Sequence, residues 1–276
     1  QDLTGIDPLE IPLDSKEVMS LFQNTSALGI KPEDIGGTKL GALGIPEFGT
    51  DFAMQMLMDT KPQYFSDLVR IAGLAHGTDV WLGNAQTLIK EGKATISTAI
   101  CTRDDIMIYL IQKGLDSEES FKIMEMVRKG KVASGKCKEW PEWKQDMIDH
   151  GVPDWYIWSC ERIKYMFPKA HAAAYVMMAW RVAYCKVFYP LAYYTAYFSI
   201  RATAFDYEKM AMSPVRLEHY IAEYKAKKAE GTISNTEEDE LGVMRIVQEM
   251  HARGYEFTPI DIYKAKARTF QIIDGK

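Results

Sequence analysis

From about residue 49 to about residue 253 the apolar side chains return every three or four positions, the spacing that gathers them on one face of a helix. Phe52, Met56 and Leu57 form one such stripe. Pro62 stands where a first helical residue would, ahead of Phe65, Leu68, Val69 and Ala72, with Gly73 after them. Val80, Leu82, Leu88 and Ile89 predict a third helix ending near Gly92. Ile106, Tyr109 and Leu110 predict another, closed by Gly114. Asp116 is placed to cap the next, whose apolar positions are Phe121, Met124 and Val127. Pro153 opens a helix through Tyr156, Ile157 and Ile163, and Thr236 with Asp239 caps a last long one closed by Gly254. The stretch from Ala172 to Tyr189 is hydrophobic around most of its circumference, as a helix central to a core is.

Residues 1–50 read differently. Asp7-Pro8, Ile11-Pro12, Gly36-Gly37, Gly41, Gly44 and Ile45-Pro46 are closely spaced turn signals. One short helix fits among them, with Asp14 and Glu17 as a capping box before Val18, Met19, Leu21 and Phe22. Only Thr269 to Ile273 has the look of a strand. The expected fold is therefore all-α and multi-helical, with a loop-rich N-terminal segment and at most one short strand near the C-terminus. The expected division is 1–50, 51–255 and 256–276.

A chain of 276 residues is long enough to bury a substantial core. Its longest charge-free apolar runs, Ala172–Trp180 and the Pro190-interrupted Val187–Ile200, fall short of the roughly 20 residues a membrane-spanning helix needs. Cys101, Cys137, Cys160 and Cys185 include no close pair of the kind found in zinc sites or disulfide scaffolds. With no basic-then-apolar leader after Gln1, the sequence predicts reduced thiols and a cytoplasmic location. Absence of an initiator Met predicts a piece of a longer chain.

The formal net charge of -5 excludes a globally basic nucleic-acid coat protein but hides local clusters. Lys122, Arg128, Lys129, Lys131, Lys136 and Lys138 face one acid in the same stretch, Glu125. A second cluster, Arg162 to His171, ends where the most apolar helix starts. Cations there oppose the helix dipole, so helix stability alone does not place Lys169 and His171. A phosphate lying across that helix start would reverse the sign, using free backbone N–H groups together with the two side chains. Cations solvated on a surface are the plainer reading, and composition by itself favours it.

Other candidates carry less. His150, His219 and His251 are dispersed, and Trp140, Trp143, Trp155 and Trp158 are most simply interhelical packing. Tyr189, Tyr193, Tyr194 and Tyr197 are core-like, and Asp104 with Asp105 reads as the first turn of a helix rather than a metal pair. There is no Walker loop, nucleophile elbow or HExxH.

The string Met166-Phe167-Pro168-Lys169-Ala170-His171-Ala172-Ala173-Ala174-Tyr175 resembles a signature of the bacterial C-family replicative DNA polymerases, in their PolC variant of Gram-positive bacteria. The resemblance runs nearly end to end. It includes Gln1 to Asp7, Gly41 to Gly49, His76 to Gln86, Arg103 to Ile106, Ile123 to Lys131 and Gly254-Tyr255. It implies the fingers domain of such a polymerase, in which residues 1–50 leave the palm and 256–276 begin the connection to a duplex-binding domain.

What the resemblance implies for the site is specific. Arg128, Lys129, Lys131, Lys169, His171 and Arg103 are expected on the triphosphate of the incoming deoxynucleotide, because a polyanion needs cations converging from several helices. Tyr175, one turn after His171, is expected at the nascent base pair, with His76, Thr78 and Asp79 lining the site near the template. Mg²⁺ is expected on palm carboxylates outside these residues, with no metal and no catalytic group here. Implied partners are primer-template DNA, deoxynucleoside triphosphates and the palm and other domains of the same chain. A sliding clamp and the replisome would be met through other regions, and no membrane is implied. The isolated chain is expected to be inactive. The alternative is a non-catalytic helical interaction scaffold derived from a polymerase, which would bind partners through apolar surface with little salt dependence.

Overall fold

A computed structural model describes residues 1–276. The first seven helices are α1 (Lys16–Ser20), α2 (Asp51–Thr60), α3 (Phe65–His76), α4 (Gln86–Lys90), α5 (Arg103–Gln112), α6 (Ser117–Arg128) and α7 (Trp140–Asp149). They are followed by α8 (Asp154–Cys160), α9 (Lys169–Phe188), α10 (Pro190–Ala196), α11 (Tyr207–Met210), α12 (Pro214–Glu230) and α13 (Asn235–Ala252). The fold is all-α. No strand forms, and the one strand-like pairing is an isolated antiparallel bridge between Thr78 and Tyr165. The expected strand at Thr269–Ile273 is irregular because it has no ladder partner; the Phe270 N–H donates instead to Ser199 Oγ at 2.8 Å. No helix is long and apolar enough to cross a membrane.

The chain forms two compact units, residues 51–178 and residues 1–50 with 179–276, the division falling inside α9. Residues 179–255 thus belong with 1–50 rather than continuing the unit that begins at 51.

In the 51–178 unit the helix starts are set by caps. Asp116 accepts the N–H groups of Glu118 and Glu119 at 2.9 and 3.0 Å and starts α6. Asp105, three residues into α5, accepts the N–H of Thr102 at 2.9 Å and that of Cys101 at 3.1 Å. Leu68, Ile71, Ile106, Leu110, Ile123, Val127, Met147, Ile157 and Ile163 fill the core. Ile163 lies beyond the end of α8, and Phe121 of α6 is exposed rather than buried.

Two expected boundaries shift. Pro62 precedes α3 instead of starting it, and the helix runs through Gly73 to His76. Only glycine fits at 73, because a Cβ there would lie 2.7 Å from the Cys101 carbonyl oxygen. The helix expected over 80–92 breaks at Leu82, Gly83 and Asn84, whose backbone is non-helical, leaving α4 as a short remnant. Buried Asn84 donates to the Asp79 carbonyl at 2.9 Å and the Ser159 carbonyl at 3.2 Å, fixing this loop to α8.

The unit of 1–50 and 179–276 is closed by the second half of α9. The Trp180 indole donates to the Pro12 carbonyl at 2.8 Å and stacks on Phe22, which meets Phe48 edge-on. The cap of α1 is Ser15, not Asp14, and that of α13 is Ser234 with Glu237, not Thr236 with Asp239. Glu237 also pairs with Lys227 at 2.6 Å, which ties the start of α13 to α12. That second contact favours the earlier start.

Helix α9 is not apolar all round where it counts. Ala172, Val176, Ala179, Trp180 and Ala183 are buried, whereas Tyr175 and Met178 are exposed. Its most buried polar residue is Lys186, fully enclosed with Glu249 at 2.9 Å and donating to the carbonyls of Gly41 at 2.7 Å and Leu43 at 2.6 Å. Tyr194 completes the network by donating to Glu249 at 2.8 Å. Burial pulls the Lys186 pKa down and the Glu249 carboxylate opposes that. Tyr193 and Tyr194 are buried, as their spacing implied.

Candidate functional site

The segment Lys164–Pro168, between α8 and α9, lies at the centre of the candidate residues in the 51–178 unit. It has no regular structure of its own, and its backbone is held by three neighbours. The Thr78 N–H donates to the Tyr165 carbonyl at 2.9 Å, while the N–H groups of Lys164 and Tyr165 donate back to the Thr78 carbonyl at 3.1 and 3.3 Å. At the other end the Arg103 N–H donates to the Phe167 carbonyl at 3.3 Å. Gly130 presses on the first residue of the segment: a Cβ there would stand 2.6 Å from the Lys164 carbonyl oxygen, and its φ of +68° already favours glycine. One strap therefore joins the 76–79 loop, the start of α5 and the turn after α6.

Phe167 is the aromatic hub of this assembly. Its ring stacks on His76 at 4.8 Å and approaches His171 at 5.8 Å and Tyr175 at 6.2 Å, while His76 also lies 6.1 Å from Tyr175. Tyr175 is 41% exposed, so this group offers a ring face to solvent. Phe167 stood inside the motif but outside the expected site residues.

The cations are held by carboxylates. Glu125 takes both Nε and, at 2.9 Å, a terminal nitrogen of Arg128, and it pairs with Lys129 at 2.9 Å. The Arg128 hydrogen bonds, with help from Lys129, hold the Glu125 carboxyl down to about 2. Arg128 is kept charged chiefly by its hydrogen bonds to Glu125. Lys164 meets Asp79 at 2.7 Å, and the Lys169 ammonium stands 3.9 Å from Asp105. Lys164 belongs to the second basic cluster and joins the candidate cations here, although the motif alone did not single it out.

One expectation about the start of α9 needs correction. Its first N–H group is not free for a phosphate, because the Asp104 carboxylate accepts the Lys169 N–H at 2.8 Å. The anion that the helix dipole calls for is thus partly supplied by the protein itself. His171 and Lys131 are exposed, and Arg103 is half-buried at the first position of α5. Arg128 and Lys129 turn toward Glu125 while Lys169 turns toward Asp105, so the strap, and no direct bond, links the two cationic segments.

Two cavities lie elsewhere. One, of about 750 Å³, is walled by Phe198, Phe205, Phe257 and Phe270; the other, of about 790 Å³, by Trp155, Trp158, Lys144 and Glu161. The candidate cations line neither. No three His, Cys, Asp or Glu side chains converge to hold a metal ion. Asp79, Asp104, Asp105 and Glu125 are each already engaged by cations or N–H groups and do not converge as a Mg²⁺ ligand set.

Exposed lysines such as Lys129, Lys164 and Lys169 can bind phosphate, and the exposed ring of Tyr175 can stack on a base. Residues 1–151 match the family described as bacterial DNA polymerase III alpha subunit finger domain. Over 275 residues the chain is 53% identical to the DNA polymerase III PolC-type of Bacillus subtilis, covering 100% of this chain and 18% of that protein. It is 54% identical over 272 residues to the DNA polymerase III PolC-type of Streptococcus suis, covering 99% of this chain and 18% of the relative. The corresponding protein of Caldanaerobacter subterraneus is 51% identical over 274 residues, 99% of this chain and 19% of its own length. The chain thus spans about a fifth of the relatives it matches. With the family match covering more than half of the residues, the chain belongs to the finger domain family of the bacterial DNA polymerase III alpha subunit.

Proposed function

We propose that the 51–178 unit takes the incoming deoxynucleoside triphosphate during template-directed DNA synthesis. Arg128, Lys129, Lys131, Lys169, His171 and Arg103, joined by Lys164, bind the triphosphate. Tyr175, with Phe167 behind it, packs at the nascent base pair, and His76, Thr78 and Asp79 border the template. The strap Lys164–Pro168 carries this assignment, since one short segment touches the loop, the turn and the helix start that hold all of these residues.

The work of these residues is electrostatic and positional. A triphosphate aligned by several cations from separate helices has little freedom left, and fixing it against the template and primer end is the larger part of what a polymerase must achieve. In the longer chain we take residues 1–50 to lead in from the palm and 256–276 to lead on toward the duplex-binding part. The palm carboxylates would hold Mg²⁺, which orients the primer hydroxyl and the pyrophosphate leaving group when bound. Primer-template DNA and the remaining domains are then the partners, with replication in the cytoplasm.

Two measurements test this. Given primer-template, Mg²⁺ and all four nucleotides, the isolated chain is expected to incorporate nothing, whereas a chain that also carries the palm extends the primer. Nucleotide binding to that longer chain is expected to weaken steeply with salt, since several phosphates exchange their counterions. A salt-independent interaction would favour an apolar interaction scaffold instead.

A further inference from the structure

We propose that Glu125, Asp79 and Asp105 are anionic placeholders, each holding a cation of the nucleotide face until a phosphate takes it over. Nucleotide binding is then an exchange of partners rather than an addition to bare cations. The inference rests on the triphosphate assignment above and adds to it a set of carboxylates that set the threshold for occupancy.

Three separate pairs support it. Glu125 holds Arg128 and Lys129, Asp79 holds Lys164, and Asp105 stands 3.9 Å from the Lys169 ammonium. The cations thus reach different carboxylates on different elements, each of which is bonded to the strap or leads into a turn packed against it. Glu125 lies in the last turn of α6, where the helix dipole disfavours an acid, and it is kept there by its i,i+3 and i,i+4 pairs with Arg128 and Lys129. Asp79 has a φ of +56° in an exposed loop, a backbone state that stabilises nothing by itself. Asp105 has a second role as the capping residue of α5, so it is the least clean of the three to test.

The lysines can leave. The side chains of Lys129, Lys164 and Lys169 are 46%, 66% and 45% exposed, and ion pairs so accessible to water are weak and easily traded. Cations on segments joined by one strap would repel one another without counter-charge, and the carboxylates relieve that repulsion. A single monovalent anion displaces one carboxylate at most. A triphosphate brings linked phosphates, so once one has exchanged, the others act at high effective concentration and exchange together.

The sign of the effect decides the matter. If Glu125 merely braces Arg128, its neutralisation weakens nucleotide binding; if it competes with phosphate, neutralisation strengthens it. The test is the Kd for dGTP on a full-length polymerase chain carrying these residues, bound to primer-template with a 3′-terminated primer. Glu125→Gln and Asp79→Asn are each expected to bind about three- to tenfold more tightly, the gain being largest at low salt. Glu118→Gln, which removes the same charge from the same helix at the Lys122 pair, is expected to leave the Kd unchanged. Asn accommodates positive φ at position 79, and that pair is exposed, so Asp79→Asn decides the question even if Glu125→Gln does not fold. Unchanged or weaker binding in the acid variants, with Arg128→Ala weakening it, overturns the placeholder proposal alone. If Arg128→Ala also has no effect, the triphosphate assignment falls with it.

Discussion

The Asp104 carboxylate accepts the backbone N–H of Lys169 at 2.8 Å, so a residue in the first turn of α5 caps a helix that starts 65 positions later. This contact orients the beginning of α9, and with it Lys169, His171 and Tyr175. Replacing Asp104 by Ala is expected to cost about 1 kcal/mol of stability in denaturant unfolding, as loss of a capping side chain does. Asp104→Asn retains an acceptor and should lose less. Equal losses for the two variants would mean that charge, and not the hydrogen bond, holds the helix start.

Gly130 offers a contrast with Gly135 a few residues on. Both have positive φ, +68° and +69°, but a Cβ at 130 meets the Lys164 backbone whereas the space at 135 is open. Gly135→Ala is expected to cost about 1 kcal/mol from backbone strain alone, and Gly130→Ala about 2 kcal/mol or more because the strap must move as well. Thermal unfolding of the two variants side by side distinguishes strain from displacement.

The buried Lys186–Glu249 pair makes a third prediction. Lys186→Met leaves the buried Glu249 charge uncompensated and removes the ammonium that donates to the carbonyls of Gly41 and Leu43, and is expected to destabilise by about 3–5 kcal/mol. Adding Glu249→Leu should recover a large part of that loss, since no unpaired charge then remains buried. A double variant as unstable as the sum of the singles would show that the two side chains do not depend on each other.

Glu125 sets an acid limit. Its carboxyl titrates near 2 in the folded chain and near 4.5 when unfolded, so the folded state prefers it ionised. The stabilisation is complete above the unfolded value and is lost as pH falls from about 4.5 toward 2. The pair is reached by solvent, so a contribution of about 1–2 kcal/mol is expected, below what the full shift would give. Between pH 6 and pH 3, Glu125→Gln should lose less stability than the unaltered chain. Parallel pH profiles would rule out that contribution.

Much of the helical framework was legible in the sequence because its signals are local. Asp116 and Gly114 act within one turn of the helices they bound, and Asp104 and Asp105 lie in the first turn of theirs. The break at Leu82–Asn84 was not, since what stabilises it is Ser159, 75 positions away. Helix α12 was missed for another reason. Its buried residues are Leu217, Ile221 and Tyr224, a narrow stripe among charged neighbours that reads as surface. At the site, the two cationic segments and the aromatic Tyr175 could be named from the motif. Their partners could not: Lys164 with Asp79, and Lys169 with Asp104 and Asp105, are pairings between distant parts of the chain. The cations carry the polyanion signal, while the carboxylates that occupy them become visible only in three dimensions.

The most direct test of the central claim is the nucleotide Kd in single-turnover incorporation by the full-length polymerase with Arg128→Ala or Lys169→Ala. Loss of one charged phosphate contact is expected to raise it about tenfold or more in each case, with primer-template affinity unchanged. A nucleotide Kd that stays the same in both variants would contradict the assignment of this face to the triphosphate.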